Sequence, residues 1–284
     1  MNLKTTLLLS LVTGLFLAGG YLLGGQSGMV TGFVLSLVMN LGSYWFSDKI
    51  VLSMHGAKEA GSAQYREILS AVRELAAGAG IPAPRVYVYR DNVPNAFATG
   101  RNAANGVVAL STGIIGLMSP QELRGVIAHE LAHIKNRDML VSTIAATMAG
   151  AISMVAQLAY GFGGTMSSRD DEEGGNPLGA IVFMLLAPIA ATIIHLAVSR
   201  TREYGADETG ARIAGSPRGL ASALGKLHQA ISGRRTAYAL SRDPMRQSFS
   251  HMYIFGLSGS AVASLFSTHP PVEERIRKLT SMSL

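Results

Sequence analysis

The stretch Ser119-Pro120-Gln121-Glu122-Leu123-Arg124-Gly125-Val126-Ile127-Ala128-His129-Glu130-Leu131-Ala132-His133 decides the reading of this chain. Ser119-Pro120 predicts a helix start: the serine caps free N–H groups, proline suits the first helical position, and Glu122 completes a capping box. Within that helix His129 and His133 stand four residues apart, one turn above one another, so both imidazoles reach a single ion. Glu130 is rotated by about 100° from His129, which sets its carboxylate beside the ion rather than on it. Val126, Ile127 and Leu131 form the apolar side. Two imidazoles with a neighbouring carboxylate are the equipment for zinc-assisted hydrolysis, in which the carboxylate acts as general base. The expectation is one Zn2+ per chain, held by His129 and His133, with Glu130 as the base.

A catalytic zinc needs a third protein ligand and an open position. The chain has no cysteine, so thiolate sites and disulfides are excluded and the ligand must be a histidine or carboxylate. The metzincin pattern would put glycine and histidine where Asn136 and Met139 stand. Asp138 follows the motif too closely to complete the site easily. Glu203 is the best remaining candidate, and Asp207, one turn further on the same face, is suited to hold a ligand imidazole in one tautomer. The competing reading of this pair is a solvated helix face matched with Arg200 or Arg202.

Outward from the motif, the chain is apolar. Of its 284 residues 48% are hydrophobic and 15% charged, and the mean hydropathy is +0.29. No charge occurs between Lys4 and Asp48, long enough for two helices of about 20 residues, the length that crosses roughly 30 Å of hydrocarbon. Gly24-Gly25-Gln26-Ser27-Gly28 divides the stretch, predicting a hairpin of spans Thr5–Leu23 and Met29–Phe46. A signal peptide is the rival for the first span, but the second follows too closely to favour cleavage. Two more spans, Met139–Gly161 and Leu178–Val198, are rich in Gly, Ala and Ser, as suits closely packed membrane helices; buried core helices are their competing reading. Net charge is +6, and no basic patch with interleaved aromatics accompanies it, so nucleic acid is not an expected partner. The lysines and arginines flank the spans, whereas the loop between the last two reads Ser168-Arg169-Asp170-Asp171-Glu172-Glu173. The positive-inside rule then puts both termini and the catalytic segments in the cytoplasm, on a multi-pass membrane protein. The expected organisation is a transmembrane hairpin over 1–47 and a cytoplasmic protease domain over 48–284, interrupted by a second hairpin at about 139–198.

In the soluble part, Tyr65, Ile68, Leu69, Val72 and Leu75 predict an amphipathic helix over Lys58–Ala77. Strands are expected at Arg85–Tyr89, Asn95–Thr99 and Gly106–Leu110, with a turn at Arg101–Gly106. Ser216-Pro217 opens another helix, Arg234–Ser267 has weak periodicity, and a short helix closes the chain over Pro271–Ser281.

Three segments together carry a resemblance: His129-Glu130-Leu131-Ala132-His133, then Ser199-Arg200-Thr201-Arg202-Glu203-Tyr204-Gly205-Ala206-Asp207, then Ser267-Thr268-His269-Pro270-Pro271. They resemble the M48 zinc proteases, in particular the bacterial heat-shock membrane type, over essentially the whole chain. The resemblance implies a mainly α membrane protein of about four transmembrane helices with a small α+β, gluzincin-like catalytic domain. It also implies Glu203 as third ligand, Asp207 as its support, and proteolysis of unfolded or damaged membrane proteins in the lipid bilayer. Gly205 departs from the pattern, where a larger residue is expected, but touches no predicted ligand. Asn95-Ala96-Phe97-Ala98 resembles the edge strand that thermolysin-like proteases set beside the catalytic helix; Asn95 and Ala96 would bind an extended peptide by strand pairing. A turn residue after Pro94 is the plainer reading of Asn95. His269 is expected to donate to the developing oxyanion, with a structural cap as the alternative. His195, inside the fourth span, reads as a neutral histidine bonded to a neighbouring helix, or as a functional group in the membrane. Three rivals are an intramembrane protease, disfavoured by the charges flanking the motif; a prenyl-protein-type membrane protease, expected to have more spans; and a zinc-containing scaffold or holdase, which has no use for Glu130. Oligomeric state is not legible.

Overall fold

The computed structural model describes residues 3–61, 63–139, 143–144, 200–232 and 270–283. Helix α1 is one helical run, Leu3–Met54, that reverses at Gly25, whose φ of +58° only glycine adopts cheaply. The two limbs lie against each other: a Cβ on Gly20 would strike the backbone of Gly28, and one on Gly32 the backbone of Phe16. Asn40 ties the limbs by donating to the Leu9 carbonyl (3.2 Å) and the Thr13 hydroxyl (2.9 Å). The second limb, Gly25–Phe46, has 22 residues at mean hydropathy 1.4 and is the one helix among the described residues long and apolar enough to cross a membrane. Its Phe33, Val34, Val38 and Trp45 are exposed. Beyond Met139, Thr143 and Ile144, the expected third and fourth spans, with His195, lie outside the described residues.

A four-stranded sheet follows, formed by β1 (Lys58–Glu59), β2 (Arg85–Tyr89), β3 (Ala96–Thr99) and β4 (Val107–Ser111). Its order is β1-β2-β4-β3, with β2 parallel to β4 and the outer pairs antiparallel. Alternate residues of β4 serve two cores. Val108 and Leu110 pack with Val72 and Leu75 of α2 (Arg66–Ala79) and with Val126, Ile127 and Leu131 of α4 (Pro120–Lys135). Val107 and Ala109 join Tyr89 and Phe97 against Val51 and Leu52 at the end of α1. There the His55 ring packs 5.2 Å from Tyr89 and 5.1 Å from Phe97.

The expected helix over Lys58–Ala77 is corrected: Lys58 and Glu59 pair with Val88 and Tyr87, and the helix begins at Arg66. No apolar residue before Tyr65 had demanded a helix, and the strand exists only through its partner. A short helix α3 (Thr112–Leu117), capped by Ser111, was not anticipated. After the undescribed stretch, α5 (Arg200–Ala214), α6 (Arg218–Ser232) and α7 (Val272–Thr280) complete the layer over α4.

Candidate metal centre

Helix α4 has the cap its sequence predicts: Ser119 Oγ accepts from the Glu122 N–H and Glu122 Oε2 from the Ser119 N–H. Glu122 does more than cap. It also accepts from Ser222 Oγ and from Lys226 Nζ, each at 2.7 Å, so the start of α4 is bonded to α6. Two glycines set the approach of the neighbouring helices. A Cβ on Gly125 would strike the backbone at Leu220, and one on Gly210 would come 2.9 Å from His129 Cα. Gly210 thereby lets α5 lie directly on the histidine helix, which carries Glu203 to the site.

His129, His133 and Glu203 come together. The two Nε2 atoms are 3.2 Å apart. Glu203 Oε2 is 3.8 Å from His129 Nε2, and Oε1 is 3.7 Å from His133 Nε2. Tetrahedral zinc with bonds of about 2.0–2.1 Å holds its ligand atoms roughly 3.4 Å apart, so this nitrogen-nitrogen-carboxylate set fits such an ion. His129 Nδ1 lies 3.0 Å from Asp207 Oδ1, although not aligned for a well-formed hydrogen bond. His133 Nδ1 lies 3.5 Å from Asp138 Oδ2.

The sequence reading passed over Arg275. It is fully buried, donates from Nε and Nη2 to the two oxygens of Asp207 at 2.8 and 2.7 Å, and sets Nη1 3.4 Å from Glu203 Oε2. A signal existed: Val272, Ile276 and Leu279 mark the inward stripe of α7, and Arg275 sits inside it. A charge on a buried stripe needs a buried partner. Burial alone would raise the Asp207 carboxyl, but the Arg275 charge and hydrogen bonds, and then His129, hold it below the usual range.

Glu130 is buried beside the histidines. Burial, with Glu203, raises its carboxyl against the pull of His129, His133 and the Ala98 N–H, which donates to it from β3. A carboxylate with a raised pKa is a stronger base. Asn95 stands just before β3, yet it is buried and its amide donates to the Tyr89 hydroxyl at 3.0 Å, while its N–H donates to Ser111 Oγ. In this arrangement its side chain is committed to the core. Ala96 is fully covered, as is nearly all of β3. Gly205 has nothing within 4 Å of where a Cβ would stand, so its departure from the expected pattern disturbs no packing. His269 lies outside the described residues.

Comparison with known proteins shows the family. The model of peptidase family M48 matches residues 62–283. A protease HtpX homolog of Syntrophobacter fumaroxidans is 52% identical over 286 residues, covering 98% of both chains. One from Persephonella marina is 50% identical, covering 99% of this chain and 97% of that one. The crystal structure of S. mikatae Ste24p shares the fold at TM-score 0.51 and 20% identity, covering 94% of this chain; this chain spans 61% of that protein's length. The chain belongs to peptidase family M48 and is a metalloprotease, with a helix able by length and composition to cross a membrane.

Proposed function

We propose that the protein is a zinc endopeptidase of the bacterial inner membrane, cleaving unfolded or damaged membrane proteins from the cytoplasmic side. The observation that carries it is one buried cluster joining His129, His133 and Glu203 to a carboxylate, Glu130, bonded to the backbone of β3. Zinc, when bound, supplies a Lewis acid that polarises the scissile carbonyl and the attacking water. Glu130 accepts a proton from that water and delivers it to the departing amine. Asp207 holds the His129 ring, and Arg275 holds Asp207. His269 is proposed to donate to the developing oxyanion.

Strand β3 ends the sheet, so an extended peptide pairing along it would lie across Glu130. Backbone pairing reads no side chains, which favours unfolded segments over one defined sequence. Asn95 contributes by fixing the start of β3, and Ala96 through its backbone. Since β3 is covered here, a peptide must uncover it on binding. The organisation that serves this activity is a membrane hairpin over 1–47 and a cytoplasmic protease domain over 48–284, with a second hairpin at about 139–198.

The test is cleavage of an unfolded polypeptide by detergent-purified, zinc-loaded protein beside Glu130→Gln. Cleavage by the unmodified chain, with Glu130→Gln retaining zinc but losing activity by 100-fold or more in line with the usual contribution of a general base, supports the reading. Equal activity in both sinks Glu130 as base. No cleavage by either, with zinc fully bound, sinks the general unfolded-substrate reading.

A further inference from the structure

We propose that Asp138 is a positioning residue for His133, placed by a strained backbone turn so that each ligand imidazole has its own carboxylate. The proposal rests on the zinc reading above.

The end of α4 is a six-residue closure. The Asp138 N–H donates to the His133 carbonyl at 3.0 Å and the Arg137 N–H to the Ile134 carbonyl at 3.2 Å, the paired bonds of a Schellman motif. Its left-handed position is held by Arg137, with φ +60°, the one non-glycine residue with positive φ among those described. Glycine normally takes that position, because a side chain there costs on the order of 1 kcal/mol or more. The next residue breaks a second local rule: an aspartate at a helix C-terminus faces the negative end of the helix dipole, where lysine, arginine or histidine is favoured.

Two unfavourable local choices in adjacent residues point to a gain elsewhere. The turn brings the Asp138 carboxylate back over the last turn of α4, with Oδ2 3.5 Å from His133 Nδ1. The other ring nitrogen, Nε2, is the one directed at His129 and Glu203. Holding the Nδ1 proton towards Asp138 therefore leaves the Nε2 lone pair facing the metal position, the arrangement a ligand imidazole needs. Asp207 stands in the same relation to His129. Arg202, with Nε and Nη2 buried and without hydrogen bonds, has Asp138 and Glu203 as its neighbouring charges.

Asp138 also immediately precedes helical Met139, so a plain helix cap is the reading to separate. Asparagine and serine cap about as well as aspartate, but neither carries the charge that orients an imidazole. The experiment is zinc affinity by chelator competition on the detergent-purified full chain, for the unmodified protein, Asp138→Asn and Asp138→Ser, together with the melting temperature of each metal-free form. The expected result is a 10- to 100-fold loss of zinc affinity in both variants, with metal-free melting temperatures unchanged. Unchanged affinity in both variants overturns the proposal and leaves Asp138 a cap. A fall in affinity that only tracks a fall in metal-free melting temperature overturns it as well. If the unmodified chain binds no zinc, the metal reading itself fails and this proposal with it.

Discussion

Replacing Arg275 by methionine removes the single side chain that touches both Asp207 and Glu203 from α7. Methionine fills much of the volume, so the change is chiefly one of charge. Arg275 is fully buried, and the side chains of Asp207 and Glu203 are 6% and 10% exposed, so water cannot take over the lost contacts. Breaking a buried ion pair by deleting one partner costs about 3–5 kcal/mol. At roughly 2–4 °C per kcal/mol for a chain of this size, the metal-free melting temperature should fall by about 6–20 °C. The double variant Asp207→Asn/Arg275→Met removes both charges. It should be more stable than the two single losses summed, by an interaction energy of about 0.5–3 kcal/mol. Thermal scans of the four proteins in one detergent, at one scan rate, close the cycle. A shift below about 2 °C for Arg275→Met, or strict additivity in the double variant, would refute the idea that the guanidinium holds these carboxylates in place.

Three further outcomes follow from the same contacts. Burial would raise the Glu122 carboxyl, but its bonds to Lys226, Ser222 and Ser119 bring it down to about 2 from 4.5; a depressed carboxyl stabilises the fold above about 4.5 and loses that contribution as pH falls towards 2. Lys226 is 44% exposed, so screening limits the gain to the order of 1–2 kcal/mol; Glu122→Gln should melt lower at pH 7, and the gap should close towards pH 2, whereas a pH-independent gap would contradict the assignment. Gly210→Ala would set a methyl 2.9 Å from His129 Cα, pushing α5 and Glu203 away; zinc affinity measured by chelator competition should drop at least tenfold, and unchanged affinity would mean that the helices do not need this close approach. Stripping zinc with a chelator should lower the melting temperature by roughly 8–16 °C relative to protein at 1,000 times its dissociation constant, about 4 kcal/mol of linkage; coincident curves with and without metal would count against a zinc site here.

What the sequence made legible was what is local. His129 and His133 are paired by helical spacing, and the Ser119–Glu122 box is a four-residue pattern, so both could be read before any partner was known. Glu203 was the candidate left after the nearer residues were set aside, supported by the resemblance of its segment, and no spacing ties it to the histidines. Arg275 bonds Asp207 across 68 residues, and nothing local says which carboxylate a buried arginine will find. Gly125 and Gly210 were passed over for the same reason, because a glycine inside a helix reads as a weakness until the helix pressed against it is seen. The misplaced start of α2 is the β version: Lys58–Glu59 has no strand signature of its own and is a strand only because β2 lies beside it. Asn95 was read from its neighbours in sequence, whereas its amide is directed by Tyr89 at the end of β2, on the far side of β4.

The charges around the two histidines argue for a divalent ion independently of the ligand distances. Glu130, Asp138, Glu203 and Asp207 bring four negative charges and Arg202 and Arg275 two positive ones, so these six groups sum to −2 when ionised. In a largely buried site, an excess of that size is costly, and it acts on whatever can take up a proton. His133 reports it. Burial would lower its pKa, yet the hydrogen bond it donates to Asp138 and the charges of Glu203, Glu130 and Asp138 push it up to about 9. Glu130 is likewise raised. Protonation of these groups partly relieves the excess when no metal is bound, and a +2 ion relieves it fully at the point where two imidazoles and a carboxylate already converge. The surrounding charges would thus belong to the metal site as much as the proposed ligands do. Asp207 and Asp138 bring negative charge to the two rings, Arg275 limits the total, and Glu130 is left as the carboxylate that neither orients a ring nor is bonded to a guanidinium, which is the condition a general base needs.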